Sequence, residues 1–565
     1  MPLSSTRLRR LIRLGAWASV TASGLLLAAA LALTRAEQSW AELQFRSPPA
    51  AFTHGTIGTE LMPLVVAESL PEMFPHHFTP PDETGNLVPG DWVERYGFLP
   101  SDDPENRGLP VGFAISRYRP QSASPSPVEF VGFSCALCHT TRLELDAGPA
   151  RTVTGPGSVS LNLFAWLDAF QSALLEQENA AGFGDFDAGG PYRLTVARLD
   201  AFYREKKGRV LTLGERTMTR LWLQQMRRRL LGGLPRFDDP AGWGHSLRPR
   251  DVPTGPSRTQ PFRTIIRQVL NRPGNDMAVY TKIATVFSED LRTWAQFDGT
   301  IADLNARSSL AAFAAGATVE NMRHPEIAHN IRSASDFTRT LRPPAMATVF
   351  PDRPAPPAGQ LESGRALYRM ACFRCHGDRP KPEEVAGLSD AERAGDWRHG
   401  SEHGRVVPLG EVGTDPERVT FRHYGEVPDA LFEKFPADHP FHFARELIRP
   451  DRGKGDDSAV RGYVNAPLDG MALRAPYLHN ASVLTLAELI HLKPRRAVFY
   501  RGRNFYDPVD AGFASPDRPD RRHYFEFDTR QRGNSNRGHD YPWPAEDARN
   551  HKPELEALLA YLKTL

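Results

Sequence analysis

All four cysteines of the 565-residue chain lie in two short motifs, Cys135-Ala136-Leu137-Cys138-His139 and Cys372-Phe373-Arg374-Cys375-His376. Both read C-x-x-C-H, the pattern by which c-type haem is attached. The spacing has a chemical reason. Each thiol adds to one vinyl group of the porphyrin, and two intervening residues let both thiols reach the same macrocycle. The histidine that follows then lies under the iron as its proximal ligand. The alternatives fail on that histidine. A redox C-x-x-C pair does not require it, a disulfide closed within so short a loop is strained, and a zinc site built from the two pairs leaves both histidines unexplained. The chain is expected to carry two covalently bound haem c groups, with His139 and His376 as iron ligands.

The rest of the chain must fold around those groups. A composition of 40% hydrophobic and 24% charged residues is globular, and 565 residues exceed what one core holds. The 45 glycines and 49 prolines make it loop-rich and argue against a helical repeat or coiled coil. With 69 basic against 67 acidic side chains, there is no electrostatic case for a nucleic-acid partner. Arg7, Arg9, Arg10 and Arg13 precede a chargeless stretch, residues 14–34, closed by Arg35. Residues 1–36 read as a signal peptide or an N-terminal membrane anchor. The remainder is expected on the exported side, periplasmic or secreted, where covalent haem attachment is made. Membrane contact is expected only through this segment.

Along the chain, residues 36–134 are turn-rich with few periodic patterns, and no strand-rich pattern is evident. Leu161, Phe164, Leu167, Phe170 and Leu174 predict a helix over 161–178, capped by Ser160. A second helix is predicted from Glu215 to Leu231, its Arg227-Arg228-Arg229 run a solvated face. Six prolines in 341–358 read as an interdomain linker. A helix with Leu361, Ala366, Leu367 and Met370 on its apolar side leads into Cys372, and Leu555, Leu558, Leu559 and Leu562 form a stripe suited to a terminal packing helix. The expected fold is mainly α and loop-rich, with two cytochrome c-like haem domains bearing long extensions. Residues 37–340 form the first, 341–358 the linker and 359–565 the second.

Axial ligation decides what each haem does, because a closed iron passes electrons and an open one binds oxidant. No histidine follows His139 until His245, and no methionine until Met218, so the first haem is expected to be open on its distal side. The second has many candidates: His399, His403, His423, His439, His442, Met471, His479, His491, His523, His539 and His551. The turn-prone loop Gly533-Asn534-Ser535-Asn536-Arg537-Gly538-His539 singles out His539.

Several segments together resemble the di-haem c-type cytochromes that include the bacterial rubber oxygenases, within a superfamily that also holds the di-haem cytochrome c peroxidases. They are Leu109-Pro110-Val111-Gly112-Phe113, Phe130–Cys135, Gln296-Phe297-Asp298-Gly299, Ala475–Val483 with its Pro-Tyr-Leu-His-Asn core, Phe505–Val509, and the loop ending at His539. The resemblance implies that the N-terminal haem binds dioxygen through its proximal histidine alone. It implies that the C-terminal haem is bis-histidine, with His539 as sixth ligand, and that His479 lies near the haem edge rather than on the iron. Phe297 stands where the oxygenase-like pattern has a tryptophan between the haems. Trp294 would share its face if the segment were helical. Phe313 falls near an apolar distal-pocket position, and core packing is the alternative for both phenylalanines.

The function expected is that of an exported di-haem c-type cytochrome oxidoreductase, peroxidase-like or rubber-oxygenase-like. H2O2 or O2 would be activated at the haem of Cys135, Cys138 and His139, with Phe297, Phe313 and His479 around it. The haem of Cys372, Cys375, His376 and His539 would pass electrons to or from a small redox protein. The rival is a non-catalytic periplasmic electron-transfer cytochrome c. The organic substrate and a bound calcium are left open.

Overall fold

The computed structural model describes residues 43–79, 92–145, 148–177, 192–231, 253–270, 277–379, 398–452, 460–517 and 524–565, together with positions 21, 24 and 28. The leader or anchor expected at 1–36 lies outside these apart from those three positions, as do His245 and His523 entirely. Among the described residues no helix is long and apolar enough to cross a membrane.

The first motif is delivered by a sheet, not a helix. Strands β1 (Met62–Pro63), β2 (Phe113–Tyr118) and β3 (Pro125–Phe133) pair antiparallel in the order β1-β3-β2. The last four residues of β3, Phe130–Phe133, are all buried. The chain then turns through Ser134, whose hydroxyl donates to the Thr53 carbonyl at 2.7 Å, into the short helix Ala136–His139. Proline and glycine within β3 hide its period from a sequence reading.

The helix predicted over 161–178 spans Leu163–Leu175 and buries Phe164, Trp166, Phe170 and Leu174. Ser160 does not cap it. Its hydroxyl donates instead to the Gly97 carbonyl at 2.8 Å. The second predicted helix spans Leu213–Leu231 and starts on a reciprocal cap. Glu215 N–H donates to Thr212 Oγ1 at 3.2 Å, and Thr212 N–H donates to Glu215 Oε2 at 2.7 Å. Its arginine run is not one solvated face. Arg228 is exposed, but Arg227 is buried and donates to the carbonyls of Leu174 and Leu194 at 2.9 and 2.7 Å.

In the C-terminal half, helix Ala358–Ala371 runs into Cys372, and the terminal helix Lys552–Leu562 crosses it. The crossing is close: a Cβ on Gly364 would lie 2.0 Å from the Ala557 carbonyl oxygen. The predicted stripe Leu555, Leu558, Leu559 and Leu562 is buried, whereas Met370 is 71% exposed. The proline-rich segment is itself packed. Val349 and Phe350 are buried, and Phe350 stacks on Tyr506 at 5.1 Å. Two of the apolar cores draw on both sides of it. One joins Leu143, Val159 and Phe287 to Leu367, Leu484 and Leu558, and the other joins Phe262, Ile301 and Leu310 to Val419, Tyr424 and Leu431.

Candidate haem-binding cavity

Both C-x-x-C-H motifs open onto one cavity of about 540 Å³, lined by Cys135, Cys138, His139, Cys372, Cys375 and His376. No disulfide joins any of the four cysteines. Burial pushes the Cys135, Cys138 and Cys372 thiols up to about 12 and raises Cys375 as well, so none is poised as a thiolate.

The two proximal histidines are held in the same way. His139 Nδ1 lies 3.0 Å from the Ala284 carbonyl, and His376 Nδ1 lies 2.8 Å from the Ala466 carbonyl. A carbonyl only accepts, so each Nδ1 carries the proton and each Nε2 keeps its lone pair for a metal. Burial lowers both imidazoles, His139 to about 4, which keeps them neutral and competent to ligate.

The two motifs differ on the opposite side. The ring of His539 lies beside that of His376, with centroids 6.2 Å apart and planes tilted by 48°. A metal–imidazole bond of about 2 Å on each side, with roughly 1 Å more from nitrogen to ring centre, separates two axial rings by about 6 Å. His539 Nδ1 is buried without a hydrogen-bond partner, and burial lowers the imidazole to about 3. Its backbone takes a left-handed φ of 55°, and Gly538 before it takes 78°. A Cβ on Gly538 would lie 2.2 Å from the Gly413 carbonyl carbon. The conformation is held from outside. His539 N–H donates to the Val412 carbonyl at 2.7 Å, and Arg495 donates to the carbonyls of Asn536 and Gly538 at 2.6 and 2.8 Å. Asn480 donates to those of Gly533 and Ser535 at 3.2 and 2.9 Å. A strained residue fixed by this many partners is typical of functional positions.

Among the described residues, no aromatic ring lies beside that of His139 in this manner. The helix Leu304–Ala314 and the residue after it contribute Leu310, Ala311, Ala312, Ala314 and Ala315 to the cavity wall. Phe313 is not on that wall. At 100° per residue it projects from the far face of the helix, and it is buried in a core cluster with Ile57 and Phe262. Phe297 and Trp294 both line the cavity, but their segment is a loop, not the helix that would have aligned them. His479 lines it too, stacked on Tyr463 at 4.2 Å. The Tyr463 hydroxyl donates to the Asp415 carbonyl at 2.6 Å, so His479 Nε2, 3.0 Å away, donates to the hydroxyl. Of the other candidate ligands, Met471 lines the cavity. His423, His442 and His491 are engaged with Glu426, the Phe435 carbonyl and Asp540, whereas His399 and His403 are in ring contact at 3.9 Å and His403 Nε2 is buried without a hydrogen-bond partner.

The cavity is also cationic. Lys282 Nζ donates to the carbonyls of Arg474 and Pro476, both at 2.9 Å, and burial lowers it to about 7. Arg292, Arg418 and Arg474 line the same wall, and the Nε of each is buried without a partner. Arg418 and Arg474 pair with Asp298 at 2.7 Å and Asp469 at 2.6 Å. Buried cations with donors to spare suit an anionic group such as a haem propionate. The thiols, the bare imidazole nitrogens and this charge together fit haem c. The carbonyls of Ala284 and Ala466, the Tyr463–His479 pair and the buried cations carry no sequence signature and emerge only from the fold.

The chain is 25% identical over 556 residues to the uncharacterised protein y4iJ of Sinorhizobium fredii, with 85% of each covered. It is 27% identical over 299 residues to the uncharacterised protein y4iM of the same organism, covering 50% of this chain and 55% of that one. Residues 462–500, which include Tyr463, Ala466, Met471 and His479, match the family model described as RoxA-like, cytochrome c-like, and a domain of that kind supports a haem-binding cytochrome with haem c.

Proposed function

We propose that the chain is an exported di-haem c-type cytochrome with oxidoreductase activity. Cys135, Cys138 and His139 would hold one haem, which would supply a site for H2O2 or O2. Cys372, Cys375, His376 and His539 would hold a second, which would supply electrons taken from a small redox protein. One observation carries this reading: a ring lies beside that of His376 at 6.2 Å, and none among the described residues lies so beside His139. The bound haem supplies the redox chemistry and an open coordination position. The chain's own residues do the rest. The Ala284 and Ala466 carbonyls fix the tautomer of each proximal imidazole. Leu310, Ala311, Ala312, Ala314 and Ala315 give the cavity an apolar stretch of wall, and Lys282, Arg292, Arg418 and Arg474 would offset the charge of an anionic group. The likeness of residues 462–500 to a RoxA-like, cytochrome c-like segment supports the haem-binding part of this reading.

The test is carbon monoxide binding to the dithionite-reduced protein. One equivalent per chain is expected, because a small ligand enters an open position readily and must displace a nitrogen at a bis-histidine iron. Zero equivalents would leave the electron carrier as the reading, and two would remove the division of labour. Peroxide-dependent oxidation of a reduced small cytochrome, set against oxygen uptake with a hydrophobic alkene, then identifies the oxidant.

A further inference from the structure

Remote from the cavity, three ligand-type atoms converge. His76 Nε2 and His77 Nε2 lie 2.7 and 2.9 Å from the same oxygen, Glu176 Oε2, and the two rings are 4.3 Å apart. We propose that His76, His77 and Glu176 form a binding site for a divalent late transition metal of the zinc or copper type.

The argument is one of donor chemistry, spacing and support. Imidazole with one carboxylate suits zinc, copper or nickel, whereas calcium and magnesium take oxygen-rich sets. Donors bound at about 2.0–2.1 Å to a common metal, 90–110° apart, are separated by roughly 2.9–3.4 Å. The observed 2.7 and 2.9 Å need only a small outward rotation of the rings. Two of the three ligand residues are held by neighbours outside the cluster. Glu176 Oε1 accepts Arg193 Nη1 at 2.7 Å, leaving Oε2 for the metal, and the Arg193 N–H donates to the Glu176 carbonyl at 2.8 Å. The His77 carbonyl accepts the Tyr96 hydroxyl at 2.8 Å. Ligating carboxylates are ordinarily oriented by such outer partners. The histidine side chains are 41% and 25% exposed and that of Glu176 is 19% exposed, so solvent reaches the cluster and water can complete the coordination.

The placement gives the metal a role. Glu176 directly follows helix Leu163–Leu175, and His76 and His77 belong to the turn Pro75–Phe78 about a hundred positions earlier. A metal here cross-links the two. The helix is 13 residues long and its first residues line the cavity, so the site lies about 20 Å from that wall. The inference therefore stands or falls independently of the haem chemistry.

The experiment is calorimetric titration of the tag-free, haem-loaded protein with zinc chloride and, separately, copper(II) chloride. Calcium and magnesium serve as controls. One site per chain is expected whose affinity falls at least ~100-fold in the double variant H76A/H77A, since losing even an outer-shell partner costs 10–100-fold. Glu176→Gln, which keeps an oxygen for Arg193, is expected to weaken it at least ~10-fold. Zinc is expected to raise the unfolding temperature of the wild type and not that of the variants. The haem spectrum and content of each variant should match the wild type, which shows that it folds. No zinc binding, or binding equal in wild type and H76A/H77A, would overturn the proposal.

Discussion

Ala284 and Ala466 act through their carbonyls alone, yet they set which nitrogen of His139 and His376 faces a metal. Their side chains carry no trace of that task, so a sequence reading reaches the histidines and not what orients them. His539 is the opposite case: a glycine- and asparagine-rich loop announces a tight turn, and the turn delivers the ring to 6.2 Å from His376. His539→Ala is expected to turn one low-spin ferric signal high-spin in electron paramagnetic resonance with total haem unchanged. Met471→Ala is expected to leave that signal alone, and the reverse pattern would reassign the ligand. A second expectation concerns His439, which is neutral and doubly satisfied. Its Nε2 donates to the Val319 carbonyl at 2.9 Å, and its Nδ1 accepts the Phe441 N–H at 3.1 Å. Burial lowers it below the usual imidazole value. The folded state therefore resists the proton that the unfolded state accepts near pH 6.5. The stability this imidazole contributes is complete above about pH 6.5 and is lost as pH falls toward its folded pKa. Urea midpoints of wild type and His439→Gln, compared from pH 7.5 to 5, should converge as pH drops; a constant gap would refute this. Phe313 shows where residue-level reading ends, since its apolar character suits a pocket or a core and only the helix phase decides.

Elements were legible where their period was long and unbroken. The terminal helix Lys552–Leu562 buries the leucine stripe expected of it, against the helix that ends at Cys372. The crossing turns on Gly364. Because a Cβ there meets backbone rather than a movable side-chain end, Gly364→Val is expected to destabilise the fold by about 1–3 kcal/mol or more, read as a lower thermal midpoint of the holoprotein. The Leu213–Leu231 helix offers a milder test. Thr212→Ala removes one half of its reciprocal cap and is expected to cost about 1 kcal/mol in chemical denaturation. Strand β3 was concealed because Pro125, Pro127 and Gly132 interrupt its alternation, and β2 because Phe113 and Ala114, adjacent in sequence, are both buried. Arg227 was misplaced for a different reason. Three successive arginines point 100° apart on a helix, so one can be core while another is solvated, and composition gives no phase.

At the scale of the whole molecule, every cysteine faces one cavity, and two cores are assembled from residues on both sides of the proline-rich segment. Proline density marks where helices stop. It says nothing about whether Val349 and Phe350 between those prolines are buried, and here they are. Two haems per chain are expected to survive acid–acetone extraction, and Cys372→Ser with Cys375→Ser is expected to leave one; free haem recovered from the wild type would refute covalent attachment. The burial of the thiols has a consequence in time. Burial raises the Cys135, Cys138 and Cys372 thiols to about 12 and raises Cys375 as well, so the folded chain favours the un-ionised thiol at each. The carbonyl that orients His139 is made 145 positions after it, and the one for His376 is made 90 positions after. During synthesis each motif therefore passes through an interval in which its thiols are accessible and its pocket is incomplete. Under the proposed attachment of haem c, thioether formation would belong to that interval, and folding would be the step that ends it.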